Sequence, residues 1–259
     1  MDFSAQDLAD LGYAKDLLEH PGLAAKITSL FGTPIEKGFK LLPEKWSETV
    51  QEVTRTALGR ALNFAVGTLE DRQHKPSSEF IHKMFVAASG GVAGAFGLSA
   101  LAVELPLSTT IMLRSIADIA RSEGESIKEV EAKLACLEVF ALGGHSTRDN
   151  AAETGYFAVR VALARTISEA AQFIAERGIV EEGAPVLVRF IAAIAGRFGT
   201  VVSEKLAAQA IPVIGAAGGA LINTLFIDHF QDMARGHFIV RRLERSYGAD
   251  EVRVRYEQL

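Results

Sequence analysis

What this sequence lacks narrows the field first. It has one cysteine, Cys136, in 259 residues. That excludes an internal disulfide and any multi-cysteine metal site, and it fits a reducing compartment. Basic charge is in short supply: 27 Lys and Arg against 32 Asp and Glu leave a formal net charge of -5. A nucleic-acid partner, which needs a basic surface, is therefore not expected. No H-E-x-x-H, G-x-S-x-G or G-x-x-x-x-G-K-[ST] motif occurs, nor any G-x-G-x-x-G after a strand. Alternating strand patterns are nearly absent, and there is no repeat of fixed period. The opening "MDFSAQDLADLGYAKD" is acidic without an apolar core, so it does not read as a secretory signal.

What remains is helix. Apolar residues recur at threes and fours, separated by short breaks rich in Gly, Pro, Ser or Asn. Helices are expected near 5–18, 23–31, 43–70, 78–103, 105–123, 127–142, 155–177, 185–209 and 212–246. Trp46, Val50, Val53, Ala57, Ala61 and Phe64 trace one stripe, the spacing by which a bundle helix buries itself. The fold class expected is all-α. A helical cap over 1–75 precedes a helical core over 76–259, and the two together form one compact unit.

Two runs carry no charge. Met84 to Val103 spans 20 residues and Leu206 to Ile227 spans 22, each close to the ~20 apolar residues that cross a bilayer. Both hold closely spaced glycines: Gly90, Gly91, Gly94 and Gly97 in one, Gly215, Gly218 and Gly219 in the other. Such spacing lets helix backbones approach. Ala and Gly dominate over Leu and Phe, Pro212 interrupts the second run, and the flanks lack the aromatic belts of fixed spans. The expectation is a glycine-rich hydrophobic hairpin of 84–103 and 212–227 at the centre of the bundle, with docking into a membrane as the competing role.

Four polar residues fall on apolar helical arcs. Glu138 lies with Ile127, Leu134 and Ala141, and Arg160 with Tyr156, Leu163, Ile167 and Ile174. Asn223 and His237 lie with Phe226, Phe230 and Ala234, while Asp228, Asp232 and Arg235 point the other way. A buried charge is costly unless paired, so Glu138 and Arg160 are expected either to pair with each other or to stand at a cavity mouth. These four are the candidate ligand-binding residues. The Glu79–His82 pair is one Glu-x-x-His where a di-iron bundle needs two, so neither a metal site nor a cofactor is expected. Cys136 reads as a small hydrophobe.

The stretches "ELPLSTTIMLRSIADIARSEGE", "EAKLACLEVFALGG", "GYFAVRVALA" and "GRFGTVVSEKLAAQAIPVIGAAGGALINTLFIDHFQDMARGHFIVRRLERSYG" resemble the EcsC protein family of bacteria, over roughly residues 80–250. That family takes its name from a protein encoded beside an ABC transporter. The resemblance implies a cytoplasmic protein, peripheral at the inner membrane, with a membrane lipid or an ABC-transporter component as partner. It supplies no catalytic residues. Taken together, these features lead to the expectation of a non-enzymatic, membrane-associated accessory protein that binds a lipid, another apolar ligand or an envelope partner, with homo-oligomers compatible. Two rivals stand beside it: a hydrolase-like enzyme using the four polar residues, and a structural interaction module.

Overall fold

The computed structural model describes residues 3–19, 22–68, 97–144, 155–178, 184–212 and 215–259. Among these the protein is all-α, with ten helices and no strand. They are α1 (Ala5–Glu19), α2 (Leu23–Phe31), α3 (Glu36–Phe39), α4 (Trp46–Thr68), α5 (Gly97–Ser122), α6 (Val130–Leu142), α7 (Tyr156–Arg177), α8 (Pro185–Ala210), α9 (Gly215–Tyr247) and α10 (Ala249–Gln258).

Helix α6 is buried over most of its length. Each residue from Ala132 to Ala141 is inaccessible, including Lys133 and Glu138. A helix apolar around its whole girth belongs in the interior, and α4, α5, α7, α8 and α9 all pack against it. Its Phe140 meets Phe198 of α8 at 4.9 Å and Phe230 of α9 at 5.4 Å between ring centres. Phe226 completes the cluster, edge-on to Phe230. Tilted and edge-on rings of this kind add about 0.5–1.5 kcal/mol per pair beyond the area they bury. Where α6 ends, His229 bonds the carbonyl of Gly143 at 3.0 Å and Arg197 donates to that of Gly144 at 3.3 Å.

The stripe expected on the fourth helix is present: Val50, Val53, Ala57 and Ala61 are core, with Trp46 and Phe64 packed at its margin. Helix α5 departs from expectation. No break separates residues before and after Glu104, and the helix runs through Pro106. Hydroxyls stitch the region of the missing amide, Ser108 donating to Leu105 O and Thr110 to Pro106 O. Helix α10, after Gly248 at φ 90°, is an addition the sequence pattern does not signal.

Most of the first arm of the expected glycine hairpin, residues 84–96, lies outside the described residues, as do Gly90, Gly91, Gly94 and the Glu79–His82 pair. Among the described residues, close approaches occur at isolated glycines. A Cβ on Gly38 or Gly144 would collide with the backbone of Ala207 or Arg197, and one on Gly236 would lie 2.6 Å from Leu18 Cγ and 3.0 Å from Ala14 O. Gly236 is thus where α1 seats on α9. At Gly219 nothing lies within 4 Å.

Two substitutions in the same helix follow from that contrast. Gly236→Ala pushes α1 off α9 and is expected to cost about 1–3 kcal/mol. Gly219→Ala gains up to about 1 kcal/mol from helix propensity. Thermal melts of the two variants against the parent protein check this, and equal shifts would contradict the packing described at Gly236.

Candidate functional site

One cleft of about 500 Å³ opens between α6, α7, α9 and the start of α10. Its apolar wall is one stripe of α7, with Phe157, Val161, Ala164, Ile167 and Ala171 at helical spacing. Glu138 reaches it from α6, Arg160 from α7, Arg241 and Glu244 from α9, and Asp250 and Arg253 from α10. This volume falls within the usual range of small-molecule sites, as does the mixture of a smooth wall with a few convergent polar groups.

Glu138 and His237 come together; of the two outcomes expected for Glu138 and Arg160, they do not pair with each other, and both line the cleft. The guanidinium of Arg160 is instead held by both carboxylate oxygens of Glu244, at 2.6 and 2.9 Å. The reason lies in register: Glu244 follows His237 by two turns on the same face of α9 and reaches Arg160 first. Glu138 faces Nε2 of His237 at 3.7 Å, beyond hydrogen-bond length. On its other side His237 shares a 2.9 Å hydrogen bond between Nδ1 and the Tyr156 hydroxyl. Nε2 itself is fully buried without a hydrogen-bond partner.

The electrostatics follow from burial. Removal from water pushes the Glu138 carboxyl up to about 7; Arg160 and Arg241 pull it down without offsetting that cost, and Glu244 adds to the rise. Burial likewise drives His237 well below its usual value, assisted by repulsion from Arg160 and Arg241, so its ring is neutral near pH 7. A neutral imidazole has one donor and one acceptor nitrogen. With Tyr156 donating to Nδ1, Nε2–H points at a Glu138 carboxylate; with the carboxyl protonated, the two roles reverse. The Tyr156–His237–Glu138 chain therefore accommodates either charge state of Glu138.

Asn223 is not part of this site. It lies 14 residues before His237, about 21 Å along the same helix. There it accepts from Gln209 Nε2 at 3.4 Å. Nearby, Lys205, 2% exposed, is paired with Glu104 and sits 4.8 Å over the ring of Phe226. Tyr156, Glu244 and Arg241 are the site residues the pattern reading passes over. The spacing of 237, 241 and 244 on one helical face is the signal that points to two of them. Cys136 is fully buried, its thiol pushed up to about 12 mainly by that burial, which keeps it inert. Among the described residues no group of three or more His, Cys, Asp or Glu side chains is placed to hold a metal.

The carboxyl of Glu138 gives a pH signature. The folded protein holds this proton more tightly than the unfolded chain, whose ordinary value is 4.5. The stability it contributes is full below about pH 4.5 and lost as pH rises through about 7, a loss on the order of 3 kcal/mol. Glu138→Gln is therefore expected to stabilise the protein at pH 8 and to have little effect at pH 5. Denaturant melts at the two pH values check it, and destabilisation at pH 8 would show that the carboxylate has a partner. His237 acts oppositely, removing stability as pH falls below its ordinary 6.5.

No curated protein and no solved structure matches the chain. A family profile does. It extends from residue 8 to residue 243, so it runs from within α1 to within α9 and takes in Glu138, Arg160, His237 and Arg241 but not Glu244 or α10. The chain belongs to the EcsC protein family.

Proposed function

We propose that this protein is a non-enzymatic, membrane-associated accessory protein. One end of the bundle rests on a lipid surface, and the cleft at the other end receives a ligand. The observation that carries this reading is an exposed apolar end. Helices α5 and α9 run side by side in the same direction, since Ser115 meets Gln231 and Glu125 meets Arg241. That register sets Val103 and Leu107 level with Leu221, and these three are 73%, 41% and 40% exposed. The described parts of both uncharged runs that begin α5 and α9, 97–103 and 215–227, lie at this end. Helix α8 is, among the described residues, the one helix long and apolar enough to cross a bilayer. Its Leu187, Phe190, Ile194, Phe198 and Val202 nonetheless face the core, which supports a peripheral attachment. In this reading the surface is the cytoplasmic face of the inner membrane, with a transporter component as the neighbouring protein.

A second reading has one observation in its favour. A carboxyl titrating near neutrality in a cleft, backed by His237 and Tyr156, is what a general acid–base residue requires. The absence of Asn223 from the cleft and the engagement of Arg160 by Glu244 leave that reading without a group to stabilise developing charge.

Flotation with phosphatidylethanolamine–phosphatidylglycerol vesicles tests the membrane reading. A fully buried apolar side chain is worth about 1.5–3 kcal/mol. The Val103→Asp, Leu221→Asp protein should therefore bind at least tenfold more weakly with an unchanged melting temperature. Binding that persists in 1 M salt is also expected. A parent protein that stays with the soluble fraction overturns the proposal.

A further inference from the structure

Three arginines line the cleft, and at first sight they make it an anion site. Their pairing says otherwise. Arg160 is bidentate on Glu244, Arg241 donates to both oxygens of Glu125 at 2.8 and 3.3 Å, and Arg253 pairs with Glu257 at 3.0 Å. Each guanidinium is already engaged by a carboxylate, Arg241 sharing Glu125 with Arg245. The acids of the lining are not so matched: Glu131, Glu138 and Asp250 have no ion pair or hydrogen bond. Of these Glu138 is the informative one. Its side chain is only 6% exposed, it opens into the cleft, and its one close polar neighbour is His237 at 3.7 Å. A buried carboxyl without a hydrogen bond is costly and leaves a place for a donor.

We infer that the cleft binds a small amphiphile with one cationic amine head, the ammonium seated on Glu138 and its hydrocarbon part along the α7 stripe of Val161, Ala164, Ile167 and Ala171. This rests on the reading of the cleft as a ligand site. The groups facing Glu138 are Glu131 on its own helix, Tyr156 and Arg160 on α7, His237, Arg241 and Glu244 on α9, and Asp250 and Arg253 on α10. An ammonium supplies the donor that Glu138 lacks. A carboxylate or phosphate head would meet three acids without a partner and no arginine free of a carboxylate.

The chemistry makes the test unambiguous in sign. Octylammonium, octanoate and 1-octanol are titrated calorimetrically into the full chain at pH 6 and pH 8, each in two buffers of different ionisation enthalpy. With Glu138 titrating at about 7, an ammonium must displace its proton. Octylammonium should therefore bind about tenfold more tightly at pH 8 than at pH 6, releasing close to one proton at pH 6 and about a tenth of one at pH 8. Glu138→Gln should abolish both the proton release and the pH dependence, and weaken binding at pH 8 at least tenfold. Preferred binding of octanoate with proton uptake overturns the inference while leaving the ligand site standing, and so does 1-octanol binding as well as the amine. If none of the three binds, the reading of the cleft as a ligand site falls with it. Circular dichroism of the Glu138→Gln protein confirms that the comparison is between folded species.

Discussion

The constraint on which the rest of this structure depends is the burial of α6. Its residues Ala132 to Ala141 are all buried, so it needs apolar partners on nearly every side, and five helices are arranged to supply them. A carboxyl within such a helix has no route to bulk water except a cleft. Glu138 takes that route, and the surrounding chemistry follows from it. Tyr156 and His237 form a neutral backing that adapts to the carboxyl, while the arginines nearby are neutralised by other acids. Arg160 and Arg241 still pull the carboxyl's pKa down, but less than burial pushes it up.

Those arginines belong to a second device that fixes α9. The turn Glu123–Gly124–Glu125, with Gly124 at φ 81°, is gripped by Arg241, Arg242 and Arg245. Arg242 also reaches Asp10 at 2.6 Å, and Tyr247 donates to Asp7 at 2.7 Å. The end of α9 is thereby tied to α1 and to the turn after α5, which sets the height of His237 and Glu244 opposite α6 and α7. Most of these pairs are partly exposed and each contributes modestly. Their joint effect is to fix register.

Much of this was legible in the sequence because burial leaves an angular record. Glu138, Arg160 and His237 stand on apolar arcs, and the fold buries them or sets them at a cleft for that reason. Partnership was not legible. Helical periodicity reports the direction in which a side chain points but not its height along a neighbouring helix, so Asn223 and His237 share a stripe yet sit in different environments. Glu244 was hidden by composition: it lies in the charged end "RRLERS", where an acid reads as solvated. The unbroken course of α5 through Pro106 was obscured similarly, since a proline marks a lost amide without saying whether nearby packing holds the helix together. Single glycines in turns and helices drew no notice in the sequence, yet Gly38, Gly144 and Gly236 are positions where a neighbouring backbone or side chain leaves no room for a Cβ.

Helix α9 carries Leu221 at the exposed apolar end and Arg241 in the wall of the cleft. The two are separated by 20 residues without a break, or about 30 Å of continuous rod. The two ends of the bundle are therefore built on one continuous element, and the arginine grip on the turn after α5 that sets the height of His237 also sets how far Leu221 stands from the cleft.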